Sequence, residues 1–124
     1  MNDVLPKKIL IVDDDPGDIL LLKKMIDSRY KLIEAQDGMN AVYIAATEKP
    51  DLVFLDVMMP KISGYTLCAN LKSNPYTKDI PIVMITGLDT DINKYIGEGM
   101  GADDYLVKPA QPDQLLAIIS KFLE

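Results

Sequence analysis

The sequence contains no histidine, no tryptophan and a single cysteine, Cys68. Without histidine, the chain cannot form a Cys/His zinc site or a histidine-based catalytic triad. With one cysteine it cannot form an internal disulfide, and Cys68 falls in an amphipathic helical pattern that is typical of a small core residue. These absences direct attention to carboxylate, hydroxyl and lysine side chains.

Long apolar segments are also missing. The 124 residues contain no run of about 18 apolar residues and no charged-then-apolar leader. We therefore expect neither a membrane span nor a signal peptide, and a cytoplasmic location. A chain of this length predicts one domain, residues 1–124.

Basic residues are scarce relative to acidic ones. The chain has 13 Lys and Arg against 19 Asp and Glu, which gives a net charge of −6. Nucleic-acid phosphates are bound by basic surfaces, so this balance argues against direct binding of DNA or RNA.

Two apolar runs end in acidic residues. Residues 52–55 are apolar and precede Asp56, whereas residues 9–12 are apolar and precede the acidic run 13–15. Continuous apolar runs of this length are typical of strands covered on both faces, as in a parallel sheet. Ligands bind at the carboxyl edge of such sheets, so Asp56 is placed where chemistry is expected.

The acidic run is followed by helix signals. Pro16 is favourable in the first turn of a helix, Asp15 can cap that helix, and Asp18 suits its positive end. Asp15 is therefore predicted to have a structural role.

Strand and helix patterns alternate along the whole chain. Strands are predicted at 9–12, 32–35, 52–55, 82–85 and 105–107, and helices from Pro16, at 39–47, 64–73 and 89–98, and from Pro112. Leu115, Leu116, Ile118, Ile119 and Phe122 form the predicted apolar stripe of the last helix. Connections this short require right-handed crossovers, so we predict a three-layer (βα)5 α/β fold with a doubly wound parallel sheet. Glu34 indicates that the second strand lies at an exposed edge.

Four of the five predicted strands end in polar residues. Crowded carboxylates repel one another unless a cation neutralises them, and all-oxygen ligands suit Mg²⁺. A nucleophilic carboxylate, a divalent ion, a lysine and a hydroxyl together are suited to phosphoryl transfer onto an aspartate. The residues at these strand ends are Asp13, Asp14, Asp56, Thr86 and Lys108.

With these residues at its strand ends, the sequence resembles the receiver domain of two-component response regulators, the CheY-like family. The resemblance covers the whole chain. It implies a flavodoxin-like fold with strand order 2-1-3-4-5. The motifs that carry it are Val12-Asp13-Asp14, Asp56-x-x-Met59-Pro60-x-x-x-Gly64, Thr86 before a small residue, Gly101-Ala102-Asp103-Asp104-Tyr105, and Lys108-Pro109.

The resemblance implies a role for each residue of the site. Asp56 would accept a phosphoryl group from the histidine of a sensor kinase or a histidine phosphotransfer protein. Asp14 would bind Mg²⁺ directly, Asp13 would hold it partly through water, and Asp56 together with the backbone carbonyl of Met58 would complete the metal site. Lys108 and Thr86 would each contact a phosphoryl oxygen, and a cis peptide would precede Pro109.

The resemblance also implies how the signal leaves the domain. Thr86 would move toward the phosphate and the ring of Tyr105 would turn inward, as a two-state switch. The surface of the fourth helix, fifth strand and fifth helix would bind an effector or a second copy of the chain. Such a domain promotes its own phosphorylation and dephosphorylation without being a conventional enzyme. Met58 and Leu88 are apolar where they would flank the phosphoryl group, so slow self-dephosphorylation is expected.

Three other functions fit parts of the sequence. A haloacid-dehalogenase-type phosphatase would use Asp13 as nucleophile and Asp15 as acid/base, but its later paired acids are missing, because Asp103 and Asp104 precede their strand. A receiver-like module could dock partners without phosphorylation, although the intact acidic and basic residues argue against it. A flavin-binding protein would need a phosphate loop after the first strand, where this chain is acidic.

Overall fold

The computed structural model of the chain describes residues 5–59, 62–87, 96 and 99–124. Within them, strands and helices alternate as predicted from β1 to β4, and a helix follows β5. The elements are β1 (Lys8–Val12), α1 (Pro16–Met25), β2 (Lys31–Ala35), α2 (Gly38–Glu48), β3 (Leu52–Asp56), α3 (Gly64–Ser73), β4 (Ile82–Thr86), β5 (Asp104–Val107) and α4 (Pro112–Leu123). The helix predicted at 89–98 lies outside the described residues except for Ile96.

The helices begin where their capping residues place them. Asp15 accepts a hydrogen bond from the amide of Gly17 at 2.8 Å, and Pro16 follows at the first helical position. Asp37 caps α2 in the same way, through the amide of Met39. These side chains satisfy amide groups that have no partner within the helix. The predicted capping role of Asp15 is confirmed.

The five strands form one parallel sheet in the order β2-β1-β3-β4-β5, which confirms the predicted topology. β1 pairs with β2 on one side and with β3 on the other, so the chain reverses its direction of winding at β1. The crevice at such a reversal lies beyond the carboxyl ends of β1 and β3. β2 is an edge strand, as Glu34 indicated.

Two apolar clusters cover the two faces of the sheet, because successive side chains of a strand point to opposite faces. Phe54 packs on the face covered by α1 and α4, whereas its neighbours Val53 and Leu55 pack under α2 and α3. All five residues of β3 are buried. Cys68 on α3 is buried in the second of these clusters, as predicted. These two clusters and the sheet make up the three layers.

The predicted apolar stripe on the last helix was wrong at one residue, Leu116. Leu116 is 47% exposed, whereas Leu123, which was not included, is buried with Leu115, Ile118 and Ile119. Phe122 packs at the edge of the cluster, partly buried. The covered face of α4 is therefore narrower than the apolar pattern suggests.

None of the helices in the described part of the chain is long and apolar enough to cross a membrane.

Candidate functional site

Three carboxylates meet at the carboxyl ends of β1 and β3. Val12 lies opposite Leu55 in the sheet register, so the residues that follow them, Asp13 and Asp56, leave adjacent strands at the same level. One carboxylate oxygen each from Asp13, Asp14 and Asp56 lies within 4.8 Å of the others. Asp13 and Asp56 are buried and Asp14 is exposed. The predicted grouping of these acids is confirmed.

Backbone hydrogen bonds hold the two buried acids in place. The Asp13 amide donates to the carbonyl of Ala35 at 3.1 Å, and its Oδ1 accepts from the Asp15 amide at 3.0 Å. Asp56 Oδ1 accepts from the Met58 amide at 3.3 Å. The Met58 side chain is exposed to solvent. Each buried carboxylate retains lone pairs that these hydrogen bonds do not use.

The acidic group fits a hard divalent cation. All its side-chain donors are carboxylate oxygens, which Mg²⁺ prefers, and the exposed position of Asp14 leaves room for the waters that Mg²⁺ keeps. Two buried acids of like charge also need a neutralising partner. The donor chemistry therefore agrees with the predicted Mg²⁺ site.

Lys108 is the basic residue of the site. Its Nζ lies 2.9 Å from Asp13 Oδ2, 2.7 Å from Asp18 Oδ2 and 3.4 Å from Asp56 Oδ1. The peptide bond between Lys108 and Pro109 is cis, as the resemblance implied. The three distances place the Lys108 ammonium between these acids and beside Asp56.

Asp18 is the site residue that sequence reasoning missed. It was interpreted only as a favourable charge in the first turn of α1, yet its carboxylate makes the shortest contact to Lys108. The available signal was its position, because α1 begins at the same sheet edge where the other acids collect. An acid one turn into that helix can reach the site.

Their surroundings raise the pKa of both Asp56 and Lys108, which disfavours the ionised form of Asp56 and favours that of Lys108. Burial, helped by the nearby charge of Asp13 and opposed by Lys108, raises the pKa of Asp56 from 3.8 to about 6. Burial would lower the pKa of Lys108, but its hydrogen bonds to Asp18 and Asp13 outweigh that effect and raise it. Lys108 therefore stays protonated, and Asp56 is an acid whose negative charge is poorly stabilised by its surroundings.

Thr86 lies on β4, the strand next to that of Asp56, and Tyr105 lies on β5, one strand further out. Thr86 ends β4, is completely buried, and follows Ile85, which is paired with Asp56. The carbonyl of Thr86 accepts a hydrogen bond from the Lys108 amide at 2.8 Å. Tyr105 is partly buried against the cluster under α2 and α3. Thr86 is thus joined to Lys108 through the main chain, and the switching roles of Thr86 and Tyr105 remain predictions.

Gly64 explains the fixed spacing between Asp56 and α3. A Cβ atom at Gly64 would lie 2.3 Å from the carbonyl oxygen of Asp56 and 2.6 Å from Cα of Val57. The Gly64 amide also donates to the Val57 carbonyl at 2.9 Å. A residue without a side chain thus allows the start of α3 to pack directly on the backbone that carries Asp56.

Acids at the other end of the sheet do not contribute to this site. The Asp103 amide donates to the carbonyl of Ile82, which begins β4, and its carboxylate pairs with Lys72 at 2.7 Å. Asp104 begins β5. Since the strands are parallel, both acids lie at the opposite edge from Asp56, where a phosphatase could not use them.

The family model described as the response regulator receiver domain matches residues 9–120. The chain belongs to this family. Receiver domains are signalling domains of two-component systems rather than conventional enzymes.

Relatives of this receiver domain include a transcriptional regulatory protein and a response regulator. The chain is 42% identical over 118 residues to the alkaline phosphatase synthesis transcriptional regulatory protein PhoP of Bacillus subtilis, covering 94% of this chain and 48% of PhoP. It is 41% identical over 111 residues to the response regulator PleD of Caulobacter vibrioides, covering 89% of this chain and 24% of PleD. The receiver domain thus spans half or less of the length of these relatives.

Solved structures share the fold over nearly the whole chain. The BeF3-activated N-terminal receiver domain of RstA from Klebsiella pneumoniae superposes with a TM-score of 0.85 at 37% identity, covering 95% of this chain and 99% of that one. The two chains therefore agree in both sequence and architecture.

Proposed function

We propose that this receiver domain is a phosphorylation switch in which Asp56 accepts a phosphoryl group with the help of Mg²⁺. The observation that carries the proposal is the convergence of Lys108 with Asp13 and Asp56 at one edge of the sheet. Carboxylate nucleophile, cation-binding acids and fixed positive charge are the groups that phosphoryl transfer onto an aspartate requires.

The residues divide the chemistry between them. A carboxylate oxygen of Asp56 attacks phosphorus, and a P–O bond forms as the bond to the donor breaks. The donor bond is P–N in a phosphohistidine and P–O in acetyl phosphate. Lys108 is positioned to stabilise charge on the transferred group, and Thr86 would donate a hydrogen bond to it.

The divalent ion would be held by Asp13, Asp14, Asp56 and the backbone carbonyl of Met58. Bound there, it supplies charge neutralisation for the phosphoryl oxygens. Burial and the nearby charge of Asp13 disfavour the ionised form of Asp56, and a bound cation would offset both effects.

We infer that the donor is a sensor histidine kinase or a histidine phosphotransfer protein, and that the domain lies in the cytoplasm. A cavity of about 530 Å³ opens beside Lys108, lined in part by Leu21, Met25 and Pro109. The signal would leave through the face of the predicted fourth helix, β5 and α4, to an effector or a second copy of the chain. The net negative charge supports an output without direct contact between this domain and nucleic acid.

Incubation of the wild-type chain with acetyl phosphate tests the proposal. With Mg²⁺, intact mass should show a single phosphoryl adduct that is lost on exposure to base, as acyl phosphates are. With EDTA in place of Mg²⁺, the adduct should be absent. A chain that folds and binds Mg²⁺ but forms no adduct would instead be a passive docking module.

The phosphorylated domain is expected to lose its phosphoryl group slowly. Met58 lies two residues past Asp56 with its side chain in solvent, and its thioether cannot orient an attacking water. Met58→Asn should accelerate dephosphorylation severalfold, measured as the decay of the adduct after the donor is removed. Met58→Leu is the matched control and should decay like wild type, and equal decay of all three proteins would contradict this account.

A further inference from the structure

Lys108 is shared between carboxylates of two kinds. Asp13 and Asp56 belong to the acidic group that fits a divalent ion, whereas Asp18 lies on α1 and is not part of that group. Asp18 nevertheless makes the shortest of the three contacts to Nζ, 2.7 Å. Its side chain is about one-third exposed (34%), while those of Asp13 and Asp56 are almost completely buried (3% and 6%).

An ammonium and a divalent cation compete for the same buried carboxylates. Lys108 Nζ occupies Asp13 Oδ2 at 2.9 Å and stands near Asp56 Oδ1. A divalent ion that binds these acids gains less when the lysine already neutralises them, and it repels the ammonium at close range. Metal binding is therefore stronger when another group holds Lys108.

We propose that Asp18 is a positioning residue: when a divalent ion binds Asp13 and Asp56, Asp18 holds the Lys108 ammonium beside Asp56, so that the lysine competes less with the ion for these two acids. This inference rests on the function proposed above. The start of α1 is fixed by the Asp15 cap and by Pro16, so the carboxylate of Asp18 is presented to Lys108 from a rigid first turn.

The surroundings of Lys108 support a held rather than a free side chain. Its amide donates a hydrogen bond to the Thr86 carbonyl, which fixes the backbone of Lys108. Its stem lies beside the cavity lined by Leu22, Met25 and Ile85, where an unpaired ammonium would be poorly solvated. Loss of Asp18 would therefore send the ammonium toward Asp13 and Asp56 rather than into solvent.

The test is a Mg²⁺ titration, by calorimetry without any phosphodonor, of the wild type, Asp18→Asn, Lys108→Met and the double variant. Asp18→Asn should weaken Mg²⁺ binding by about 3- to 10-fold when Lys108 is present. In the Lys108→Met background the same change should alter the dissociation constant by less than about twofold. Asp113→Asn, which removes an exposed acid from the first turn of α4, controls for net charge and should behave like wild type.

The double-variant comparison separates positioning from simple charge. Equal weakening in both backgrounds would mean that Asp18 acts only through its own field, and no weakening in either would mean that it does not hold Lys108; both results overturn the inference. Thermal unfolding of each variant verifies that it is folded. If the wild type fails to bind Mg²⁺, the proposed function fails as well, whereas normal Mg²⁺ binding and adduct formation with equal weakening would remove this inference alone.

Discussion

Asp56→Asn is expected to abolish the phosphoryl adduct that wild type forms with acetyl phosphate and Mg²⁺. Asparagine has nearly the same size and occupies the same buried place at the end of β3, but its amide oxygen is not a nucleophile of comparable strength. The loss should be complete within the detection limit of intact-mass measurement. Peptide mapping of the labelled wild type should place the adduct on the segment that contains Asp56.

The control for this experiment is Asp113→Asn, which should be labelled like wild type. Undiminished labelling of Asp56→Asn would place the acceptor elsewhere. Turnover of a generic phosphate ester that is lost in Asp13→Asn but kept in Asp56→Asn would support the phosphatase alternative. Against that alternative, Asp15 is already engaged in capping α1.

The same substitution is expected to stabilise the metal-free protein at neutral pH. The pKa of Asp56 is about 6 in the folded chain against an ordinary 3.8, mainly because the carboxylate is buried. Folding is therefore disfavoured by its ionisation, and wild type loses stability as the pH rises from about 4 to above 6. Asparagine avoids this loss, so the variant should gain roughly 2–3 kcal/mol at pH 7.5 and about 1 kcal/mol less than that at pH 5.

Urea denaturation in EDTA at several pH values measures this difference. Added Mg²⁺ should shrink it, because the ion binds and stabilises the ionised wild-type site. A gain that is the same at pH 5 and pH 7.5 would show that it arises from packing rather than from the charge of Asp56. Asp113→Asn should show little change across the range.

The strands, their order and the acidic group were predictable because each rests on a strong local signal. Buried parallel strands leave continuous apolar runs, and the ends of parallel strands necessarily share an edge. Asp13, Asp14 and Asp56 follow such runs directly, so their meeting required only the correct strand order. That order came from the resemblance to receiver domains rather than from the pattern itself.

Other features depended on information that the sequence carries only weakly. Asp18 had a sufficient local explanation in the helix dipole, so nothing in the sequence required a partner 90 residues away, at Lys108. The width of the buried face of α4 depends on how closely the helix packs on the sheet, and Leu116 lies just beyond it. The roles of Thr86 and Tyr105 concern a difference between two states and remain predictions.

The main-chain hydrogen bond from Lys108 to Thr86 joins the backbones of the two residues that are proposed to contact phosphoryl oxygens. Thr86 and Lys108 are at the ends of two paired strands, so their backbones cannot move independently. A displacement of the β4 end on phosphorylation would therefore be transmitted to the β5 end without any side-chain relay. The effects of substitutions at positions 86 and 108 on the free energy of unfolding should consequently be non-additive, even in the unphosphorylated protein.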